Sequence, residues 1–163
     1  MKNIITPPSW KGVYYNIKNK NHLIQPLNKK WLNKIKKEFI NIKKHKKFDF
    51  LQYRFINFNI IFSLLKINSI IDVGGSNAWS YFYLKNFSRK KNLKKFTILE
   101  TKEVCKTMKL LNYEKIIKYE HNINNIRNHD FLYSNSTFQY ILKDKDIKDI
   151  IKKTKPKYIL LED

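Results

Sequence analysis

Two of the chain's three glycines and its only alanine fall within the run Asp72-Val73-Gly74-Gly75-Ser76-Asn77-Ala78. The apolar residues before it, Ile70-Ile71-Asp72-Val73, predict a short buried strand. Small residues just past such a strand let the chain turn sharply into a helix while its backbone approaches a ligand closely. An ordinary tight turn would also want glycine. In a chain this poor in small residues, however, the clustering is not an effect of composition. Glu100 ends the next strand-like run, 28 positions after Asp72. In a Rossmann-like unit an acidic side chain there accepts both ribose hydroxyls of a bound nucleoside; a solvated strand end is the plain alternative. The usual offset is about 20 residues, and the basic segment Ser88–Lys95 accounts for the extra length.

The elements that must position these residues follow from periodicity. Leu27, Trp31, Ile35, Phe39 and Ile42 recur at spacings of four and three, which predicts an amphipathic helix over 27–43 that packs on a core. Residues 48–65 are apolar on nearly all sides and predict a helix sandwiched between a sheet and another element. Trp10, Tyr14 and Tyr15 are expected to anchor an irregular first segment. After Ile70–Val73, strands are expected at 96–99, 116–119, 131–133 and 158–161, with helices over 102–111 and about 144–153. Five strands separated by helices or loops imply a doubly wound parallel α/β sheet, Rossmann-like, with an N-terminal helical extension. The expected division is an extension over 1–66 and a cofactor-binding domain over 67–163.

The run Ile70–Ala78 resembles motif I of class I S-adenosylmethionine-dependent methyltransferases, in its D-x-G-G-x-x-G form. More closely, the chain resembles a family of bacterial methyltransferases often associated with surface-polysaccharide gene clusters. The matching features are Trp10 to Tyr15, the aromatic stretch at 48–65, the loop followed by Ser80-Tyr81-Phe82, Glu100, and Gln139-Tyr140-Ile141. The resemblance implies S-adenosylmethionine as cofactor, with Asp72, Gly74, Gly75, Ser76, Asn77 and Ala78 lining its methionine and ribose side. Glu100 would hold the ribose hydroxyls, and Asn135 and Ser136 would lie near cofactor and methyl acceptor. Ala78 stands where the family has glycine. Replacing Gly74 by Val is expected to abolish cofactor binding while leaving the fold largely intact. The acceptor implied is a sugar hydroxyl or amine of a surface glycan. Seven strands are usual in this class, so a chain ending at Leu161-Glu162-Asp163 is expected to be C-terminally incomplete. Its open edge would be covered by a second copy or another partner.

Composition sets the competing readings. The net charge of +21 invites a nucleic-acid partner, and an RNA methyltransferase gripping phosphates with its lysine-rich first 66 residues is the leading alternative. Only Arg54, Arg89 and Arg127 are arginine, and the richness in lysine, asparagine and isoleucine is what an AT-rich genome imposes, so solvated faces account for the charge better. A methyltransferase-like domain that only binds a partner is the third reading. His22, His45, His121 and His129 have no metal-ligand spacing, and the single Cys105 excludes an intrachain disulfide and predicts a buried structural thiol. There is neither an 18-residue apolar stretch nor the apolar core of a signal peptide, so the expected location is cytoplasmic, without a membrane span.

Overall fold

A computed structural model describes residues 29–45, 55–88, 92–112, 114–138 and 144–162. Five strands form one parallel sheet: β1 (Ser69–Val73), β2 (Lys95–Leu99), β3 (Ile117–Glu120), β4 (Phe131–Asn135) and β5 (Tyr158–Glu162), in the order β3-β2-β1-β4-β5. The helices are α1 (Lys29–His45), α2 (Ile56–Leu64), α3 (Trp79–Phe87), α4 (Lys102–Leu111) and α5 (Asp144–Thr154). This is the doubly wound Rossmann-like arrangement expected from the alternation of strands and helices, with an N-terminal helix before it.

Strand alternation divides the core into two. On one face Ile70, Phe96, Ile98, Tyr119, Phe131 and Tyr133 pack with buried residues of α1 through α4. On the other, Ile71, Val73 and Leu132 pack with Ile126 and with Ile150 of α5. The β3-to-β4 connection carries a short 3-10 turn at Ile123–Asn125 in place of a full helix. α3 buries Ser80 through Leu84 in succession, because it is packed on several sides: Tyr81 meets Phe96 of β2, Phe82 meets Phe39 of α1, and Tyr83 meets Phe55 just before α2. Phe58 of α2 stacks on Tyr133 at 4.2 Å between ring centroids and on Phe131 at 5.8 Å.

The expectation that residues 48–65 are sandwiched needs correction for their described part. Phe58 and Phe62 face the sheet, but Ile56, Ile60 and Leu64 are exposed, so α2 is covered on one side only. Its apolar character comes from two faces with different environments. The described part of α1, from Lys29, buries Ile35 and Phe39, while Trp31 stays exposed. Residues 1–28, with Trp10, Tyr14 and Tyr15, lie outside the described residues, as do 46–54, 89–91 and Gln139-Tyr140-Ile141.

His129 joins the sheet to α5 below β4. Its backbone N–H donates to Thr154 O at 2.8 Å; Nδ1 lies 2.6 Å from Arg127 O and Nε2 2.9 Å from Thr97 Oγ1. With Nδ1–H donating to the carbonyl, Nε2 accepts from the threonine hydroxyl, an arrangement that needs a neutral ring. Burial, reinforced by the Lys95 charge, pushes its pKa down from 6.5 to about 4. The unfolded chain then binds more protons than the native one between those values, so stability falls as pH drops from 6.5 towards 4. The full loss is roughly 3 kcal/mol. Urea unfolding at pH 7 and 4.5 should show this loss in the wild type and much less of it in His129→Gln. An equal loss in both proteins would contradict the assignment.

Candidate functional site

All five strands end at one edge of the sheet, and β1 and β4 flank the point where the strand order reverses, the place where sheets of this topology receive ligands. Gly74 leaves β1 with φ at +77° and donates its N–H to Leu99 O of β2 at 2.9 Å. A Cβ on Gly74 would overlap the side chain of Thr137, and one on Gly75 would lie 2.5 Å from Asp72 Oδ2. Both positions thus exclude a side chain on steric grounds. The expectation that Gly74→Val leaves the fold intact is corrected here, because a side chain would meet both the left-handed backbone and Thr137.

Ser76 and Ala78 also have positive φ, at +46° and +62°. The conformation at Ala78 is one that glycine adopts without strain, which gives a physical reason for a glycine at that place in related loops. Here a buried alanine tolerates it, with its N–H donating to Gly75 O at 2.9 Å.

Two carboxylates frame the loop. Asp72 is buried at the end of β1 and accepts a hydrogen bond from Ser80 Oγ, the second residue of α3. Burial drives its pKa from 3.8 up to about 7; the Ser80 bond opposes this and the Glu100 charge adds to it. Glu100, directly after β2, accepts the N–H of Ser76 at 3.2 Å on Oε1 and the N–H of Thr101 at 2.8 Å on Oε2. Burial raises its pKa, and these two backbone donors counteract the rise. Residues far apart in sequence are therefore in direct contact across the ends of β1 and β2.

On the β4 side, Asn135 ends the strand with Nδ2 3.4 Å from Tyr133 Oη. Ser136, at φ +56°, donates its N–H to Glu162 O at 2.6 Å, and its hydroxyl donates to Asn135 Oδ1 at 3.2 Å. Ser134, Thr137, Phe138, Leu161 and Glu162 line an open recess of about 200 Å³ beside this turn. Thr137 packs against Gly74, so the loops after β1 and β4 meet.

Every residue singled out in sequence, Asp72 to Ala78, Glu100, Asn135 and Ser136, lies at this edge. Others there carry no linear signal. Ser80 acts through a contact made only once α3 has formed. Thr137 and Glu162 enter through the turn after β4 and the end of β5. Glu38 of α1 accepts a hydrogen bond from Asn77 Nδ2 at 3.1 Å, linking the N-terminal helix to the loop, while buried Asn77 Oδ1 has no partner. Cys105 is buried in α4 with its thiol pushed up to about 11, chiefly by burial, which suits a structural role. Among the described residues no group of three His, Cys, Asp or Glu side chains could hold a metal ion.

The strand order and the turn after β1 define a Rossmann-like, doubly wound parallel fold. No family model and no curated protein matches the chain. Among solved structures, it is similar to a Methanococcus maripaludis protein named as an S-adenosyl-L-methionine-dependent methyltransferase. Identity is 16%, covering 76% of this chain and 58% of that one, with a TM-score of 0.51. A Bacillus cereus O-methyltransferase in complex with S-adenosyl-L-homocysteine aligns at 11% identity over 82% of this chain and 66% of its own, TM-score 0.47. A Thiobacillus denitrificans methyltransferase aligns at 11% over 75% and 52%, TM-score 0.44. The chain spans less than two thirds of each of these proteins. At such identities the likeness is one of fold.

Gly74→Ala should cost about 1–3 kcal/mol in stability from backbone strain, and more from the collision with Thr137. In a Thr137→Ala background the steric part should shrink and the strain remain. A double-mutant cycle by urea unfolding reads the coupling directly. Equal costs in the two backgrounds would rule out the contact as the reason for glycine.

Proposed function

We propose that this chain binds S-adenosylmethionine at the C-terminal edge of β1, β2 and β4 and transfers its methyl group to an acceptor. The observation that carries the reading is Glu100, held beside the loop 74–78 by the Ser76 and Thr101 N–H groups. Each carboxylate oxygen has accepted one backbone donor and retains a lone pair, which suits it to two ribose hydroxyls side by side. The donor set fits the cofactor in two further respects. Gly74 and Gly75 bring backbone rather than side chain to the crevice, and the unpartnered Asn77 Oδ1 is an acceptor with capacity to spare. The Methanococcus maripaludis protein sharing this fold is named as S-adenosyl-L-methionine-dependent, which supports the choice of cofactor.

In this reading Asp72, Gly74, Gly75, Ser76, Asn77 and Ala78 line the methionine and ribose side, Glu100 holds the ribose, and Asn135 and Ser136 border the acceptor. When bound, the cofactor supplies an electrophilic methyl group on a sulfonium centre. The chain's task is alignment: the loop orients one partner, and the turn after β4 orients the other against it. The acceptor proposed is a sugar hydroxyl or amine of a surface glycan, on the family resemblance. β5 is an edge strand with Ile159 and Leu161 exposed, which supports cover by a second copy or another partner.

Titration calorimetry with S-adenosylmethionine and S-adenosylhomocysteine tests the reading. Binding is expected for both. Glu100→Ala should weaken it by roughly 1.5–3 kcal/mol per charged hydrogen bond lost, and Glu100→Gln by less. A 2′,3′-dideoxy analogue should bind weakly and be nearly indifferent to the substitution. Folded protein that binds neither ligand overturns the proposal; cofactor binding with no methyl transfer to any acceptor leaves a binding domain only.

A further inference from the structure

The edge opposite the candidate site has a different character. Because every strand is parallel, the connections entering the strands lie at one edge and those leaving at the other. Among the described residues, the entering connections carry Lys66, Lys94, Lys115, Arg127, Lys155 and Lys157. The leaving turns at 74–78, 100–101, 121–122 and 136–138 carry no lysine or arginine, and the basic side chains next to them are Lys102 and Lys145 in the first turns of α4 and α5. The two carboxylates among the entering connections are already engaged: Glu114 with Lys85 at 2.6 Å and Asp130 with Lys157 at 2.9 Å. Burial and the neighbouring Lys118 hold the Lys95 ammonium at the start of β2 below its ordinary pKa, so like charges crowd here.

Apolar side chains are interleaved with these cations. α2, α3 and α4 all run towards this edge, and each presents an exposed large apolar residue in its last two positions. Leu64 is 76% exposed, Phe87 44% and Leu110 82%. Favourable interaction with helix dipoles explains lysines in final helical turns. It explains neither the cations in the connections nor the leucines.

We propose that this edge docks peripherally on a bilayer containing anionic lipid, with the lysines among the headgroups and Leu64, Phe87 and Leu110 in the interfacial apolar layer. The leucines decide between polyanions. Nucleic acid takes up aromatic faces on which bases stack; Phe87, the least exposed of the three, offers one, and the two more exposed residues, Leu64 and Leu110, offer none. The boundary of a bilayer takes leucine and phenylalanine beside lysine. No described helix is long and apolar enough to cross the membrane, so the contact is one of surface and edge. The candidate site would then face away from the lipid, open to an acceptor arriving from the aqueous side.

Vesicle flotation of the full chain tests this, with vesicles of phosphatidylcholine alone and of equimolar phosphatidylcholine and phosphatidylglycerol. The protein should float with the mixed vesicles, less at high salt, and not with the neutral ones. Leu64→Ser with Leu110→Ser should lower partitioning roughly tenfold or more, as expected for lost burial of two leucines. Lys66→Gln with Lys115→Gln should cost about fivefold per lysine. Lys34→Gln with Lys37→Gln on α1 reports the effect of net charge alone and should cost far less. All six positions are exposed or in connections, and circular dichroism checks each fold. No flotation, equal flotation with neutral vesicles, or equal losses from the two lysine pairs overturns the proposal. So does tighter binding to poly-uridine RNA than to mixed vesicles, unaffected by the leucine substitutions.

Discussion

β1 has to leave the sheet and enter α3 through the five residues Gly74–Ala78, and the carboxylate of Glu100 on the neighbouring strand holds that turn by accepting Ser76 N–H at 3.2 Å. The rest of the site depends on this contact. Three positions of the loop, Gly74, Ser76 and Ala78, take left-handed backbone, and two of them pay for it without glycine's freedom. Such a conformation persists only where surrounding groups over-determine it. Glu100 is one of those groups. The others are Leu99 O on the Gly74 N–H, Thr137 against Gly74, and Glu38 on the side chain of Asn77. Three separate segments, the end of β2, the turn after β4 and α1, thus meet at this one turn.

The same crowding sets the electrostatics. The Glu100 charge adds to the rise at Asp72, and burial is the leading cause of the raised pKa at both. The unfolded carboxyl of Asp72 titrates near 3.8 and the native one near 7, so the native state holds an additional proton between these values. Its contribution to stability therefore falls as pH rises through that window. Asp72 is the more deeply buried of the two, and Glu100 is partly open at the strand end. Among the described residues, Lys66, Lys94, Lys115, Arg127, Lys155 and Lys157 lie in the connections at the opposite edge of the sheet.

How much of this is legible in the sequence depends on the range of the interaction. Strands β1 to β5 lie within a residue or two of the apolar runs at 70–73, 96–99, 116–119, 131–133 and 158–161, because buried parallel strands are short continuous apolar segments. Gly74, Gly75 and Glu100 are legible because topology brings strand ends to one edge whatever the intervening lengths. The Ser80–Asp72 and Glu38–Asn77 contacts are not, since each depends on how a helix is rotated against the sheet. The two environments of α2 are equally hidden, because an apolar residue reads alike whether it meets Tyr133 or solvent. The reduction of the β3–β4 helix to a 3-10 turn leaves no periodic trace in Ile123-Asn124-Asn125.

The most direct test of the account is a titration of isotopically labelled protein with S-adenosylhomocysteine, followed residue by residue through the amide resonances. If the crevice at β1, β2 and β4 holds the cofactor, the largest shifts fall on Gly74, Gly75, Ser76, Thr101 and Ser136, while Lys66, Lys94 and Lys115 at the opposite edge stay unmoved. Shifts centred on that opposite edge, or none in a folded protein at saturating ligand, would contradict it.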